Sequence, residues 1–256
     1  MARSKKHYQW DAEQYAKYSG SQYEWALELI GKLQLQGAED VLDIGCGDGK
    51  VTASIAERLL EGSVLGIDSS GEMIALARRR YGHYPTARLA FEYLDVRELD
   101  AVSRFDVVFS NAALHWIKEH GDVLRRVRQA MKTGARFLFQ MGGRGNALDV
   151  VAVLEAMLSH RKWVSFFINF EFPYGFYGTD EYARWLAEAG LTPGAHRADR
   201  KGYVPYRPRR FCRLDQYHLA ALPGENPRRP ERSVRPGVDR NLLARKSGRR
   251  KRPGPC

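Results

Sequence analysis

Residues 41–50 read Val-Leu-Asp-Ile-Gly-Cys-Gly-Asp-Gly-Lys, and this stretch decides the fold. Val41 to Ile44 are four residues of a buried parallel strand. They run into a turn holding Gly45, Gly47 and Gly49, after which Val51 opens an apolar-periodic helix. Such a loop is built to hold a ligand: glycines accept positive φ and let a ligand lie against bare backbone, and a helix N-terminus adds unpaired N–H donors. A dinucleotide fold asks for G-x-G-x-x-G. Here the glycines fall at every second position behind an acidic residue, Asp43, which argues against NAD. Nineteen residues after Gly49 the next apolar run, Val64 to Ile67, ends in Asp68, where a carboxylate can accept both hydroxyls of a ribose. The Lys-Ser/Thr pair of a phosphate-binding loop does not follow.

Upstream, Tyr8 to Leu33 carries apolar residues at helical spacing, with Gly20 as the candidate break. A helix placed before the first strand can cover the carboxyl edge of the sheet, which makes Trp10, Tyr15 and Gln22 candidates for contact with an acceptor. Downstream, a helix over Val51–Leu60 ends at Gly62. Ser69-Ser70-Gly71-Glu72 caps a helix from Met73 to Tyr81, whose last-turn arginines Arg78, Arg79 and Arg80 complement its dipole. Strands are expected at Leu89–Leu94, Phe105–Ser110 and Arg136–Met141, and an amphipathic helix at Asp122–Met131 with Gly134 as its terminator. Alternating strands and helices imply a doubly wound, Rossmann-like, mostly parallel α/β sheet. Gly142, Gly143 and Gly145 form a hinge into a helical lid. The lid contains a helix at 146–159, an aromatic-rich run from Trp163 to Tyr177, and a helix from Thr179 to Gly190 capped by Thr179, with Leu191-Thr192-Pro193 opening a further strand.

The net charge of +11 is unevenly spread. Gly194 to Cys256 holds 18 Lys and Arg against 5 Asp and Glu, with 8 of the 11 prolines, so the preceding chain is close to neutral. This basic segment reads as disordered. Its abrupt onset suggests a change of reading frame near residue 194, because a permitted back-translation of Arg213–Pro223, read one nucleotide later, yields a Trp-rich amphipathic peptide. The competing reading is a natural basic extension that binds nucleic acid. Three separated cysteines and scattered histidines indicate neither a disulfide framework nor a metal site. With no apolar run approaching ~18 residues and no signal-like N-terminus, the expected setting is the cytoplasm, without a membrane partner.

Taken together, Asp43-Ile44-Gly45-Cys46-Gly47, Gly66-Ile67-Asp68-Ser69-Ser70 with Met73-Ile74, Asp95-Val96, and Ser110-Asn111-Ala112-Ala113-Leu114-His115-Trp116 resemble the ordered motifs of class I methyltransferases that use S-adenosylmethionine. From about Trp10 to Pro193 the chain is similar to the trans-aconitate and malonyl-thioester O-methyltransferase group, and the frame-shifted peptide is similar to a helix of that group. The resemblance implies that Gly45 to Gly49 admits the amino-acid end and ribose, and that Asp68, with Ser69 and Met73 in the same segment, holds the ribose. Asp95 would accept from the adenine amine, with the Val96 N–H beside it. Asp43 would orient the loop or reach the amino group, and the Asn111 backbone would lie near the sulfonium. Cys46 reads as a space-filler within that loop. His115 is a weak base candidate, better read with Trp116 as pocket wall. Gln22 and Glu24 stand where tricarboxylate-acting relatives place arginines, which weakens the case for a polyanionic acceptor.

The expected organisation is cap helices over 1–36, a cofactor domain over 37–145, a lid and return over 146–193, and the basic segment over 194–256. The expected function is methylation of a small molecule at a carboxylate oxygen. The alternative is a nucleic-acid-binding protein or RNA methyltransferase working through the basic segment.

Overall fold

The computed structural model describes residues 20–83, 88–194, 198–203 and 214–219. Five parallel strands form its sheet: β1 (Asp40–Ile44), β2 (Ser63–Asp68), β3 (Leu89–Tyr93), β4 (Phe105–Asn111) and β5 (Met131–Gln140), in the order β3-β2-β1-β4-β5. Past the register slip between Phe105 and Val107, consecutive residues of β4 alternate between two apolar layers. Val107 and Phe109 join Leu29, Ile30, Leu33, Ile55 and Leu59 on one face, while Phe105 and Val108 join Val123, Leu124, Val127 and Leu186 on the other. The first layer belongs to α1 (Gly20–Leu33) and α2 (Lys50–Ala56), the second to α4 (His120–Ala130) and α6 (Thr179–Glu188). A smaller cluster of Cys46, Ile74, Ala77 and Phe91 seats α3 (Gly71–Tyr81). Helices on both faces explain why these strands read as nearly continuous apolar runs. Strand order reverses between β1 and β4, so the helices that follow them run to opposite faces of the sheet and leave a crevice at the carboxyl ends.

Several elements differ from the sequence reading. The main body of α1 covers a sheet face rather than the carboxyl edge, because Leu29, Ile30 and Leu33 are buried against Val41 and Phe109. Helix α2 stops at Ala56, where Arg58 and Leu59 turn back onto the Ile55 and Ala56 carbonyls with tighter three-residue bonds. Gly134 does not end α4. That helix stops at Ala130, and Gly134, at φ +79°, lies inside β5 where the pairing slips from Phe105↔Met131 to Val107↔Arg136, as a bulge requires. Gly178, not Thr179, is the cap of α6, and its N–H donates to the Glu181 carboxylate at 2.8 Å. Leu191–Pro193 is no strand: Gly190 takes φ +67° and the Leu191 N–H returns to the Leu186 carbonyl, so these residues close the helix.

The lid helix α5 (Leu148–Ser159) has no buried residue. Beyond Gly194, where no regular element was expected, Ala198–Tyr203 (β6) pairs antiparallel with Leu214–Leu219 (β7); such pairing satisfies backbone groups without a sustained apolar period. The remainder of the basic segment lies outside the described residues, as do Trp10 and Tyr15, and Gln22 is described only as backbone in α1.

Candidate active site

The crevice at the β1/β4 reversal is a cavity of about 440 Å³, joined through Gly45, Gly47, Asn111 and Ala112 to a recess of about 60 Å³. Its floor depends on two loops fitting closely. Gly45 stands at φ +73°, and a Cβ built there would sit 2.2 Å from the Ala113 Cβ, so only glycine lets the loops after β1 and β4 meet. Ala112 itself takes φ +54°, unusual for alanine, with its N–H held by the Gln140 carbonyl at 2.7 Å.

Asp68 anchors the centre. One carboxylate oxygen accepts from the Gly47 N–H at 2.9 Å and the other from the Ser70 N–H at 2.8 Å, which fixes the carboxylate's orientation while leaving lone pairs on each oxygen. Burial pushes its pKa above the ordinary aspartate range, outweighing those two donors, and Asp95 adds to the rise. Ser70 also caps α3, accepting from the Met73 N–H, while Ser69 and Met73 line the wall beside it. Across the cavity Asp95 caps a short turn over Val96–Glu98. Arg97 grips it with Nε at 3.0 Å and a second nitrogen at 2.6 Å, so this carboxylate arrives already paired. Val96 is buried and lines the same wall, and Asn111 lines both cavity and recess.

Asp43 faces the recess, fully buried, and accepts from the Thr52 hydroxyl at 2.6 Å. Burial raises its pKa to about 7 against the lowering effect of that hydrogen bond, and Asp68 adds to the rise. Cys46 also borders the recess, but its side chain is packed beneath Gly66 and among Ile74, Ala77 and Phe91. Burial pushes its thiol far up, so it fills space there rather than acting as a nucleophile. His115 does not line the cavity. It is boxed by the rings of Trp116, Tyr174 and Phe176, its Nδ1 accepts from the Gly142 N–H at 3.3 Å, and burial lowers its pKa to about 4. Trp116 does line the cavity, with Leu114, Ile117, Lys118, Glu119 and, from the lid, Glu171 and Pro173.

Three participants escaped the sequence reading. Tyr23 and Lys50 border the recess, the Lys50 ammonium lying 3.8 Å above the Tyr23 ring. Arg80, read as a dipole complement, holds Asp48 of the glycine loop at 2.5 Å. Recess and cavity together suit a cationic, zwitterion-ended nucleoside. Asp43 and Lys50 offer opposite charges at one end, Asp68 meets the middle, and an acid with an apolar wall waits at the far end. Among the described residues no cluster fits a metal ion, and no helix is long and apolar enough to cross a membrane.

Comparison with known proteins places this geometry. The sequence pattern of a methyltransferase domain matches residues 41–134. An uncharacterized methyltransferase of Schizosaccharomyces pombe is 33% identical over 71% of this chain and 70% of its own length. Trans-aconitate 2-methyltransferase of Rhodococcus jostii is 32% identical over 73% of this chain and 71% of its own. Among solved structures, phosphoethanolamine N-methyltransferase 2 of Haemonchus contortus with S-adenosyl-L-methionine superposes with a TM-score of 0.59 at 21% identity, covering 74% of this chain and 42% of that one, which supports the class I fold.

Proposed function

Because this chain belongs to the family of S-adenosylmethionine-dependent methyltransferases, we propose that it transfers the cofactor's methyl group to a carboxylate oxygen of a small molecule. When bound, the cofactor supplies an electrophilic methyl on a sulfonium centre, and the chain supplies position, charge and exclusion of water. Asp68, aimed by its two backbone donors, would accept the ribose hydroxyls, with Ser69 and Met73 alongside. Asp95 and the Val96 N–H would meet the adenine. Asp43 would take the ammonium and Lys50 the carboxylate of the amino-acid end, leaving the Asn111–Ala112 backbone beside the sulfonium.

The observation that carries the acceptor class is the state of His115. A hydroxyl or amine acceptor needs its proton removed, yet this imidazole is neutral, weakly basic, bonded to Gly142 and turned out of the cavity. A carboxylate is already ionised and needs no base. The name of the Rhodococcus relative supports the same class. The lining cations argue for fewer charges than a tricarboxylate carries, since Arg97 is engaged by Asp95 and Lys118 is paired with Glu171 at 3.7 Å. Trp116, Ile117 and Pro173 would face an apolar body.

The test is turnover of mono-, di- and tricarboxylates of varied apolar bulk, with the product identified by mass and by its lability to mild alkali. Alkali-labile esters from monocarboxylates are expected. Turnover confined to hydroxyl, amine or RNA acceptors, giving alkali-stable products, would overturn the proposal.

A further inference from the structure

Two charged side chains of the cavity wall meet between the lid and the loop after β4. Lys118 stands on that loop and Glu171 on the lid, and the Lys118 ammonium lies 3.7 Å from a Glu171 carboxylate oxygen. The wall beneath Lys118 is fixed: the Tyr177 hydroxyl donates to the Lys118 carbonyl at 2.8 Å, and the Gly175 N–H to the His115 carbonyl at 2.8 Å. The pair itself is loose. Its separation exceeds hydrogen-bond length and its side chains are 43% and 70% exposed, so holding them together contributes little. The cavity's other cation is bound more firmly. Arg97 meets Asp95 with Nε at 3.0 Å and a second nitrogen at 2.6 Å, while Glu119 lies 3.6 Å from its third. Among the described lining residues, Lys118 is therefore the cation whose countercharge exchanges at small cost.

We propose that Lys118 selects the acceptor's carboxylate, and that Glu171 is a stand-in which the acceptor displaces. The inference rests on the reading of the acceptor as a carboxylate. Lys118 already holds a carboxylate in the cavity wall, and an entering one makes the same contact. Glu171, being largely exposed, turns out to water, so the exchange leaves no charge buried and unpaired. The exchange also limits the acceptor's charge. Once Lys118 is taken and Arg97 remains with Asp95, a second carboxylate meets Glu119 and the released Glu171 with no spare lining cation. One ammonium thus admits one carboxylate, on a body that Trp116, Ile117 and Pro173 can cover. The ammonium engages one carboxylate oxygen and leaves the other its lone pairs for the methyl group. Methylation then neutralises the charge that Lys118 holds, and the ester exchanges back for Glu171.

The test separates binding from transfer. Affinities of monocarboxylates from butyrate to phenylpropionate, each with its primary amide, are measured by calorimetry on the full chain saturated with S-adenosylhomocysteine, which has no methyl to give. The native chain should bind the carboxylates about tenfold more tightly than the amides. Lys118→Met should erase that preference by weakening the carboxylates alone, and Lys118→Arg should keep most of it. Glu171→Gln should tighten the carboxylates roughly two- to fivefold, a gain that adding Lys118→Met cancels. A role confined to holding the lid would move carboxylate and amide together and give both substitutions the same sign. Preference retained in Lys118→Met, or carboxylates bound no better by Glu171→Gln, overturns the assignment and leaves the carboxylate reading standing. Loss of S-adenosylhomocysteine affinity in Lys118→Met would place the lysine at the cofactor and overturn the assignment too. A native chain that favours the amides, or binds neither series, overturns both.

Discussion

The backbone N–H of Gly47 donates to the Asp68 carboxylate at 2.9 Å, so the glycine loop after the first strand is fastened to the acid that ends the second. Together with the Gly45 and Cys46 N–H groups, which donate to the Ile67 carbonyl, this bond ties the two most legible motifs of the sequence into one ledge, and Ser70 secures the other oxygen.

Removing that acid should therefore cost both fold and cofactor. Asp68→Ala leaves two backbone donors without their charged acceptor, a loss of roughly 2–4 kcal/mol in all. Calorimetry should show affinity for S-adenosylmethionine reduced about 100-fold or more, with a lower melting temperature. Unchanged affinity would place the ribose elsewhere.

Lys50 offers a sharper dissection, because it concerns only one end of the cofactor. Lys50→Met should weaken S-adenosylmethionine about tenfold and leave 5′-methylthioadenosine, which lacks the amino-acid end, unaffected. Equal losses for both ligands would instead mean that the substitution disturbs the loop through Tyr23.

Gly45 and Gly47 should differ when each is changed to alanine. Both have positive φ, a strain of roughly 1–2 kcal/mol for an L side chain, but only at position 45 would the new Cβ strike Ala113. Gly45→Ala should lower the melting temperature clearly more than Gly47→Ala, as thermal unfolding will show.

Asp43 gives the site a dependence on pH. Its folded pKa, about 7, lies above the ordinary aspartate value of roughly 4. Between those values the unfolded chain loses a proton that the folded chain keeps, so stability from this group is full below pH 4 and is lost as pH rises towards 7. The melting-temperature difference between the native chain and Asp43→Asn should shrink or reverse across that window. An ammonium docked beside Asp43 favours the carboxylate, so cofactor binding near pH 6 should release a proton, detectable by calorimetry in buffers of different ionisation enthalpy.

The strands and the cofactor motifs were legible because each is contiguous: an apolar run, then a glycine loop or a terminal acid. What stayed hidden depends on tertiary placement. Thr52 reaches Asp43 from nine residues away and Arg80 reaches Asp48 from 32, distances over which no spacing rule operates. Gly134 misled for a different reason: positive φ serves a helix end and a β-bulge equally well, and only the slip between Phe105 and Val107 separates them. His115 sits within a recognisable motif, yet its direction is set by Gly142 and by lid aromatics more than 25 positions downstream.

His120 supplies the last prediction. Its Nε2–H is directed at the Leu114 and Ile117 carbonyls, at 2.9 and 3.0 Å, and its Nδ1 accepts from the Tyr182 hydroxyl at 2.6 Å, so one imidazole joins the loop that walls the cavity to helix α6. Burial lowers its pKa to about 4, below the ordinary histidine value of about 6.5. Between those values the unfolded chain takes up a proton that the folded chain refuses, so stability falls as pH drops through that window, opposite in sign to the effect of Asp43. His120→Phe deletes the bonds and the titration together. At pH 7.5 it should cost about 2–3 kcal/mol, yet its melting temperature should decline less steeply than the native chain's between pH 6.5 and 4.5. Parallel slopes for the two proteins would mean that His120 already carries its proton in the fold. In that state Nδ1 could no longer accept from Tyr182.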